Sequence, residues 1–131
     1  MFSVIVPTYN SELTISQTIS SILDQSYEDF EVIVVDNHSS DNTRFIINSF
    51  KDSRVSCHLI NNQGMPAISR NHGISIASFD YIAFCDSDDI WESNKLAECR
   101  RYIEKGYDFI AHELKLSGSL FKATLNRIFS R

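Results

Sequence analysis

With 131 residues, 43% hydrophobic and 22% charged, and only four Gly and two Pro, the chain reads as one globular domain that can bury a core without disulfides. Residues 1–113 carry 8 Lys and Arg against 17 Asp and Glu, a net of −9, whereas residues 114–131 carry 4 against none, a net of +4. An acidic body lacks the clustered cations that neutralise phosphates, so no nucleic-acid partner is expected, while a cation-assisted site remains compatible with it. Cys57, Cys85 and Cys99 are odd in number and have no CxxC spacing, and they read as core residues of a protein in a reducing cytosol. The apolar run Phe2 to Val6 is far too short to span a bilayer, and no later run is longer.

Short β-branched runs alternate with helix-period segments, the pattern of an α/β domain with a mainly parallel sheet covered on both faces. The first strand is predicted over 2–6, stopped by Pro7. A helix follows from about Glu12 to Gln25, capped by Asn10 or Ser11, with Ile15, Ile19 and Ile22 as its apolar stripe. The second strand, Glu31 to Val35, ends in Asp36. The turn 37–40 then leads to a helix capped by Asp41 or a neighbouring Ser and running to about Phe50. The third strand, Val55 to Ile60, passes through Asn61-Asn62-Gln63-Gly64 into a helix with Pro66 near N1 that ends near Ala77. The fourth strand, Tyr81 to Cys85, runs into Asp86-Ser87-Asp88-Asp89. Ser93 is expected to cap a last helix with Leu96, Cys99 and Ile103 inward and Gly106 as its stop. Asp108 to Ala111 reads as a fifth strand. Right-handed crossovers would bring every strand-to-helix turn to one carboxyl edge, where open α/β sheets bind ligands.

The residues that end strands are therefore the ones to weigh. In extended chain Asp86 and Asp88 point to the same side, and two hard oxygen ligands there suit Mg²⁺ or Mn²⁺, which in turn could hold a diphosphate. The plainer reading of the tetrapeptide is a solvated turn with Asp89 as a helix cap. Asp36 could accept a hydrogen bond from a nucleobase or ribose, or simply bond its own turn. Pro7-Thr8-Tyr9 could present Tyr9 as a flat face for a base, or Tyr9 could be ordinary packing. Arg70, early in the third helix, could reach a phosphate or lie idle on the surface. His38, His58, His72 and His112 show no ligand spacing and read as structural or surface residues, and neither GxxxxGK[ST] nor GxGxxG occurs.

Five blocks taken together, 3–10, 21–27 with 31–41, 62–64, 69–74 and 86–91, resemble the family 2 glycosyltransferases, whose fold is the GT-A type. The resemblance covers residues 2 to about 112. It implies that Pro7, Thr8 and Tyr9 line a nucleoside pocket, that Asp36 bonds the base edge and that Arg70 faces the base or diphosphate. Asp86-Ser87-Asp88 matches the family's DxD motif, with Asp86 toward the ribose or metal shell and Asp88 as direct ligand of the divalent ion. Asn37 and Ser93 depart mildly from the pattern. The family's catalytic base follows the donor-binding half; no residue here is assigned that role, since Asp108 is the last Asp and Glu113 matches no base position.

The expected organisation is a nucleotide-sugar-binding domain over 1–113 and a basic amphipathic tail over 114–131. Within the tail, a helix over 118–131 would gather Phe121, Leu125, Ile128 and Phe129, either to dock on protein or to lie on an anionic membrane at the inner face. The function implied is transfer of a sugar from a nucleotide sugar, expected to be a UDP-sugar, to a polysaccharide or glycolipid acceptor, inverting and metal-dependent. The alternative is a remnant that binds the nucleotide sugar without transferring it. A nucleotidyltransferase would open with a Gly-rich, cationic loop after the first strand, which Pro7-Thr8-Tyr9-Asn10 is not.

Overall fold

The computed structural model describes residues 1–111 together with the backbone of 128–129. Four parallel strands, β1 (Phe2–Thr8), β2 (Phe30–Asp36), β3 (Val55–Leu59) and β4 (Tyr81–Phe84), lie in the order β3-β2-β1-β4. They alternate with α1 (Ile15–Leu23), α2 (Thr43–Ser49), α3 (Pro66–Ile76) and α4 (Lys95–Glu104). This is the expected α/β class, a parallel sheet flanked by helices.

Period-two alternation along the strands builds two cores. Val4, Val6, Val32 and Val34 pack with Ile15, Ile19 and Ile22 of α1, Ile47 of α2, and Leu96 and Cys99 of α4. Ile5, Ile33 and Val35 face the other way, with Ile60, Ala77 and Ile82 against them. α3 lies on this second side, because the connection from β3 back across β1 to β4 runs in the reverse direction and a right-handed crossover then places its helix opposite. The helix can approach closely because residue 73 has no side chain. A Cβ there would sit 2.5 Å from Cγ2 of the fully buried Ile5. Gly73→Ala is expected to destabilise by about 1–2 kcal/mol, overpacking outweighing the gain in helix propensity. Chemical denaturation of Gly73→Ala, Ile5→Ala, which removes the Cγ atoms the new Cβ would meet, and the double variant checks this, the double being more stable than the sum predicts.

Several element boundaries differ from expectation, most by a single residue, and the N-cap of α2 is Asn42 rather than Asp41 or a Ser. β1 continues through Pro7 to Thr8. Phe2 and Thr8 exchange bonds with the β2 side (Phe2 N to Asp29 O, Asn37 N to Thr8 O), so alternation turns the Pro7 nitrogen toward β4, which has already ended at Phe84. No ladder bond is lost, and a gap opens between the end of β1 and the chain after β4. α1 starts at Ile15 rather than Glu12, after a turn in which the Ser11 carbonyl accepts the Thr14 and Ile15 amides. At α4 the N-cap is Asn94 rather than Ser93, whose carbonyl instead accepts the Ser26 amide. The Leu96 amide donates to Oε1 of Gln25, just past the end of α1, at 2.9 Å. Gly106 ends α4 as expected. Its amide bonds the Ile103 carbonyl, the Tyr107 amide bonds that of Tyr102, and the Tyr102 and Tyr107 rings meet edge to face.

The segment expected as a fifth strand is β5 (Phe109–Ile110), and it does not join the parallel sheet. It pairs antiparallel with β6 (Ile128–Phe129). Residues 128–129 are thus strand, not the end of the expected tail helix; the remainder of that helix, and the 113/114 boundary, lie outside the described residues. No helix among the described residues is long and apolar enough to cross a membrane.

Candidate active site

Strand order reverses at β1, whose neighbours are β2 on one side and β4 on the other. Turns after these strands cannot cover the seam, so a crevice forms at their carboxyl ends. Two adjoining cavities occupy it. One, of about 250 Å³, is lined by Pro7, Thr8 and Tyr9 after β1, Asp86, Ser87 and Asp88 after β4, and Asn62, Pro66 and Arg70. The other, of about 800 Å³, extends over β2 and β3 and is walled by Tyr9, Asn37, His38, Asn61, Asn62, Gly64 and Pro66. Fold topology thus gathers Pro7, Thr8, Tyr9, Arg70, Asp86, Ser87 and Asp88, spread over some eighty residues of sequence, around one space.

Each is held differently. Tyr9 is 58% exposed, its ring being free of core packing. The Thr8 hydroxyl is buried against the smaller cavity and has no hydrogen-bond partner among the described residues. Leaving a buried hydroxyl unpaired costs about 1–3 kcal/mol, a cost that a ligand polar atom would remove. Arg70 Nη2 donates to Asp86 Oδ1 at 2.6 Å. Asp88 is exposed, and no hydrogen bond from the described residues engages its carboxylate.

Asp36 stands apart. Its side chain is fully buried and accepts bonds from the amide (3.1 Å) and hydroxyl of Ser39, so it organises the turn that carries Asn37 and His38 rather than lining either cavity itself.

The loops are stitched into a closed circuit of polar contacts. Ser87 Oγ meets Ser11 Oγ at 2.8 Å, and the Ser87 carbonyl accepts the hydroxyls of Thr14 (2.8 Å), the N-cap of α1, and Thr18 (3.0 Å) within it. The Ser11 amide donates to Thr43, and Asn10, at φ 47°, exchanges bonds with Ser39 and Ser40. Asn37 Oδ1 accepts the Asn62 amide, and Asn62 Nδ2 donates to the buried Ser69. Arg70, next in sequence, returns the circuit to Asp86. Every loop after a parallel strand is thereby braced to its neighbour. Such preorganisation reduces the ordering that a ligand would otherwise have to impose.

Several of these residues escape a sequence reading. The apolar stripe of α1 is obvious, but the hydroxyls of Ser11, Thr14 and Thr18, at spacings of three and four, mark a second stripe that holds the 86–88 loop. His38, read from sequence as structural, walls the larger cavity at φ 52°.

Among the described residues no three His, Cys, Asp or Glu side chains form a ready cation site. Mg²⁺ and Mn²⁺ sites that serve phosphates commonly use only one or two carboxylates, with water and substrate oxygens completing the shell, and Asp88 with Asp86 fits that donor set. Cys85, immediately before Asp86, takes no part. Burial pushes its thiol up to about 12, and burial also raises Cys57 and Cys99. At pH 8 a thiol reagent should therefore modify half-buried Cys57 first and slowly, with Cys85 labelled only after unfolding.

Residues 3–120 match the family model for glycosyl transferase family 2. The chain is 50% identical over 97 residues to UDP-Glc:alpha-D-GlcNAc-diphosphoundecaprenol beta-1,3-glucosyltransferase WfgD of Escherichia coli, covering 73% of this chain and 38% of that protein. The crystal structure of S. aureus TarS 1-349 in complex with UDP superposes with a TM-score of 0.75 at 34% identity, over 79% of this chain and 32% of that one. The mannosyltransferase PcManGT of Pyrobaculum calidifontis, in complex with GDP-Man and Mn2+, gives 0.70 at 27% identity, over 78% and 32%. The chain therefore spans well under half the length of these relatives. The family match extends over most of the sequence and the parallel sheet carries the corresponding fold, so the chain belongs to glycosyl transferase family 2.

Proposed function

We propose that this chain forms the donor-binding part of an inverting glycosyltransferase that takes a sugar from a UDP-sugar to a lipid-linked or polysaccharide acceptor. The observation that carries the reading is the smaller cavity, where Arg70, the unpartnered Thr8 hydroxyl, Asp86 and Asp88 converge at the β1/β4 crevice. UDP in the TarS complex and the lipid-linked substrate in the name of WfgD support the donor and acceptor classes.

In this reading Pro7, Thr8 and Tyr9 form the nucleoside wall, with the exposed Tyr9 ring against the base. Asp36 fixes the turn of the larger cavity and retains acceptor capacity for a base N–H beyond its bonds to Ser39. Arg70 binds diphosphate oxygens. Asp88, with Asp86, would hold Mg²⁺ or Mn²⁺, and that ion supplies charge neutralisation for the departing nucleoside diphosphate. In an inverting displacement the acceptor oxygen bonds the anomeric carbon as its bond to the diphosphate breaks, and a base takes the acceptor proton. None of the described residues is assigned as that base. The division into a donor-binding domain over 1–113 and a basic tail over 114–131 is part of the same proposal.

Calorimetric titration of UDP and UDP-sugars, with and without Mn²⁺, tests the reading. Metal-enhanced binding of UDP is expected, and no heat under any condition would overturn it. Radiolabelled transfer to lipid-linked acceptor separates an active transferase from the binding-only alternative.

A further inference from the structure

The Arg70–Asp86 contact joins two groups that the function above needs for opposite partners, an anion for Arg70 and a cation for Asp86. It is single-ended, one Nη2–H on one carboxylate oxygen, and both side chains are open to solvent, at 34% and 54% exposure. An ion pair of that kind is worth no more than about 1 kcal/mol and can be given up for a stronger partner. Both residues line the same cavity as Asp88 and the unpartnered Thr8 hydroxyl. A diphosphate reaching that cavity offers Arg70 more negative charge than a single carboxylate and suits its planar fork.

We propose that Arg70 changes partners, leaving Asp86 for the diphosphate when nucleotide binds, so that anion and divalent cation each remove the other's competitor. A cation arriving alone must displace the guanidinium from Asp86. A diphosphate arriving alone must draw Arg70 away and leave an unpaired carboxylate facing its own charge. When both arrive, neither cost remains. The coupling is reciprocal by thermodynamic necessity, since each ligand tightens the other by the same factor. This inference rests on the diphosphate-site reading given above.

The test uses two substitutions at solvent-exposed positions, with melting curves to show that both variants fold. In metal-free buffer, Asp86→Asn releases Arg70 and is expected to bind UDP about two- to fivefold more tightly than the parent, the factor set by a surface ion pair. Arg70→Gln is expected to bind Mn²⁺ alone more tightly by a similar factor, read by water-proton relaxation. It should bind metal-free UDP about tenfold more weakly, through loss of a charge-assisted hydrogen bond. If Asp86→Asn leaves metal-free UDP affinity unchanged or lower, or Arg70→Gln leaves Mn²⁺ affinity unchanged, the exchange is refuted even though the parent binds UDP. If the parent binds no UDP with or without Mn²⁺, the diphosphate site itself is refuted.

Discussion

Asp88→Ala is expected to remove the Mn²⁺-dependent part of UDP binding, a loss of about 100-fold or about 2.7 kcal/mol, while leaving metal-free UDP binding nearly unchanged. The asymmetry between the two acidic residues is what makes this specific. Asp86 already has a cationic partner in Arg70, whereas no hydrogen bond from the described residues engages Asp88. Asp88 can therefore meet an incoming cation without first giving anything up. The surrounding loop should survive the substitution, because its anchors are the Ser87 carbonyl bonds to Thr14 and Thr18 and the Ser87 hydroxyl contact to Ser11, none of which involves the Asp88 side chain. Titration calorimetry of UDP at zero and saturating Mn²⁺, on parent and variant, checks the prediction. Equal Mn²⁺ enhancement in both proteins would remove Asp88 from the proposed cation site.

Gln25→Leu is expected to cost about 2–3 kcal/mol of stability and to lower the melting temperature by roughly 10 °C, the largest effect foreseen for a residue outside the cavities. Gln25 is buried at 5% exposure, and its amide bridges two helices. Nε2 donates to the Ser21 carbonyl at 3.1 Å and the Glu92 carbonyl at 2.7 Å, while Oε1 accepts the Leu96 amide at 2.9 Å. That amide is one of the first four of α4, which no carbonyl of its own helix can satisfy. Leucine fills similar volume, so the cost isolates the stranded polar groups rather than a cavity. The Glu92 carbonyl keeps the Lys95 amide as a partner, so most of the loss falls on Leu96. Denaturant unfolding with an unchanged m value would confirm a native-state effect.

The β-branched runs and helical stripes gave the order of the parallel strands' segments and the identity of the core helices, because burial on both sheet faces writes itself as apolar composition. Ends were less legible. Pro7 looks like a strand terminator until its nitrogen is known to face a neighbour that has already stopped. The cap of α4 is supplied by Gln25, about seventy residues earlier, and no local rule can find it. Phe109–Ile110 has the composition of a strand, but composition does not say which sheet it joins, and it pairs outside the parallel one.

The acidic balance that opens the sequence shows the same division. From sequence alone, strand-terminal residues such as Asp36, Asp86 and Asp88 stand out, because parallel connections send every strand end to one edge, and their spacing within a known family pattern names a chemistry. Only the tertiary structure decides which of them share a space. Reversal of strand order at β1 places Thr8 beside Asp86 and Asp88, and the packing of α3 on β1, at a glycine, brings Arg70 to the same cavity. It leaves Asp36 behind them, bonded to Ser39 as the support of a turn. Proximity across the sheet depends on which strand lies next to which, and that order is set by long-range packing that no local stretch of sequence contains.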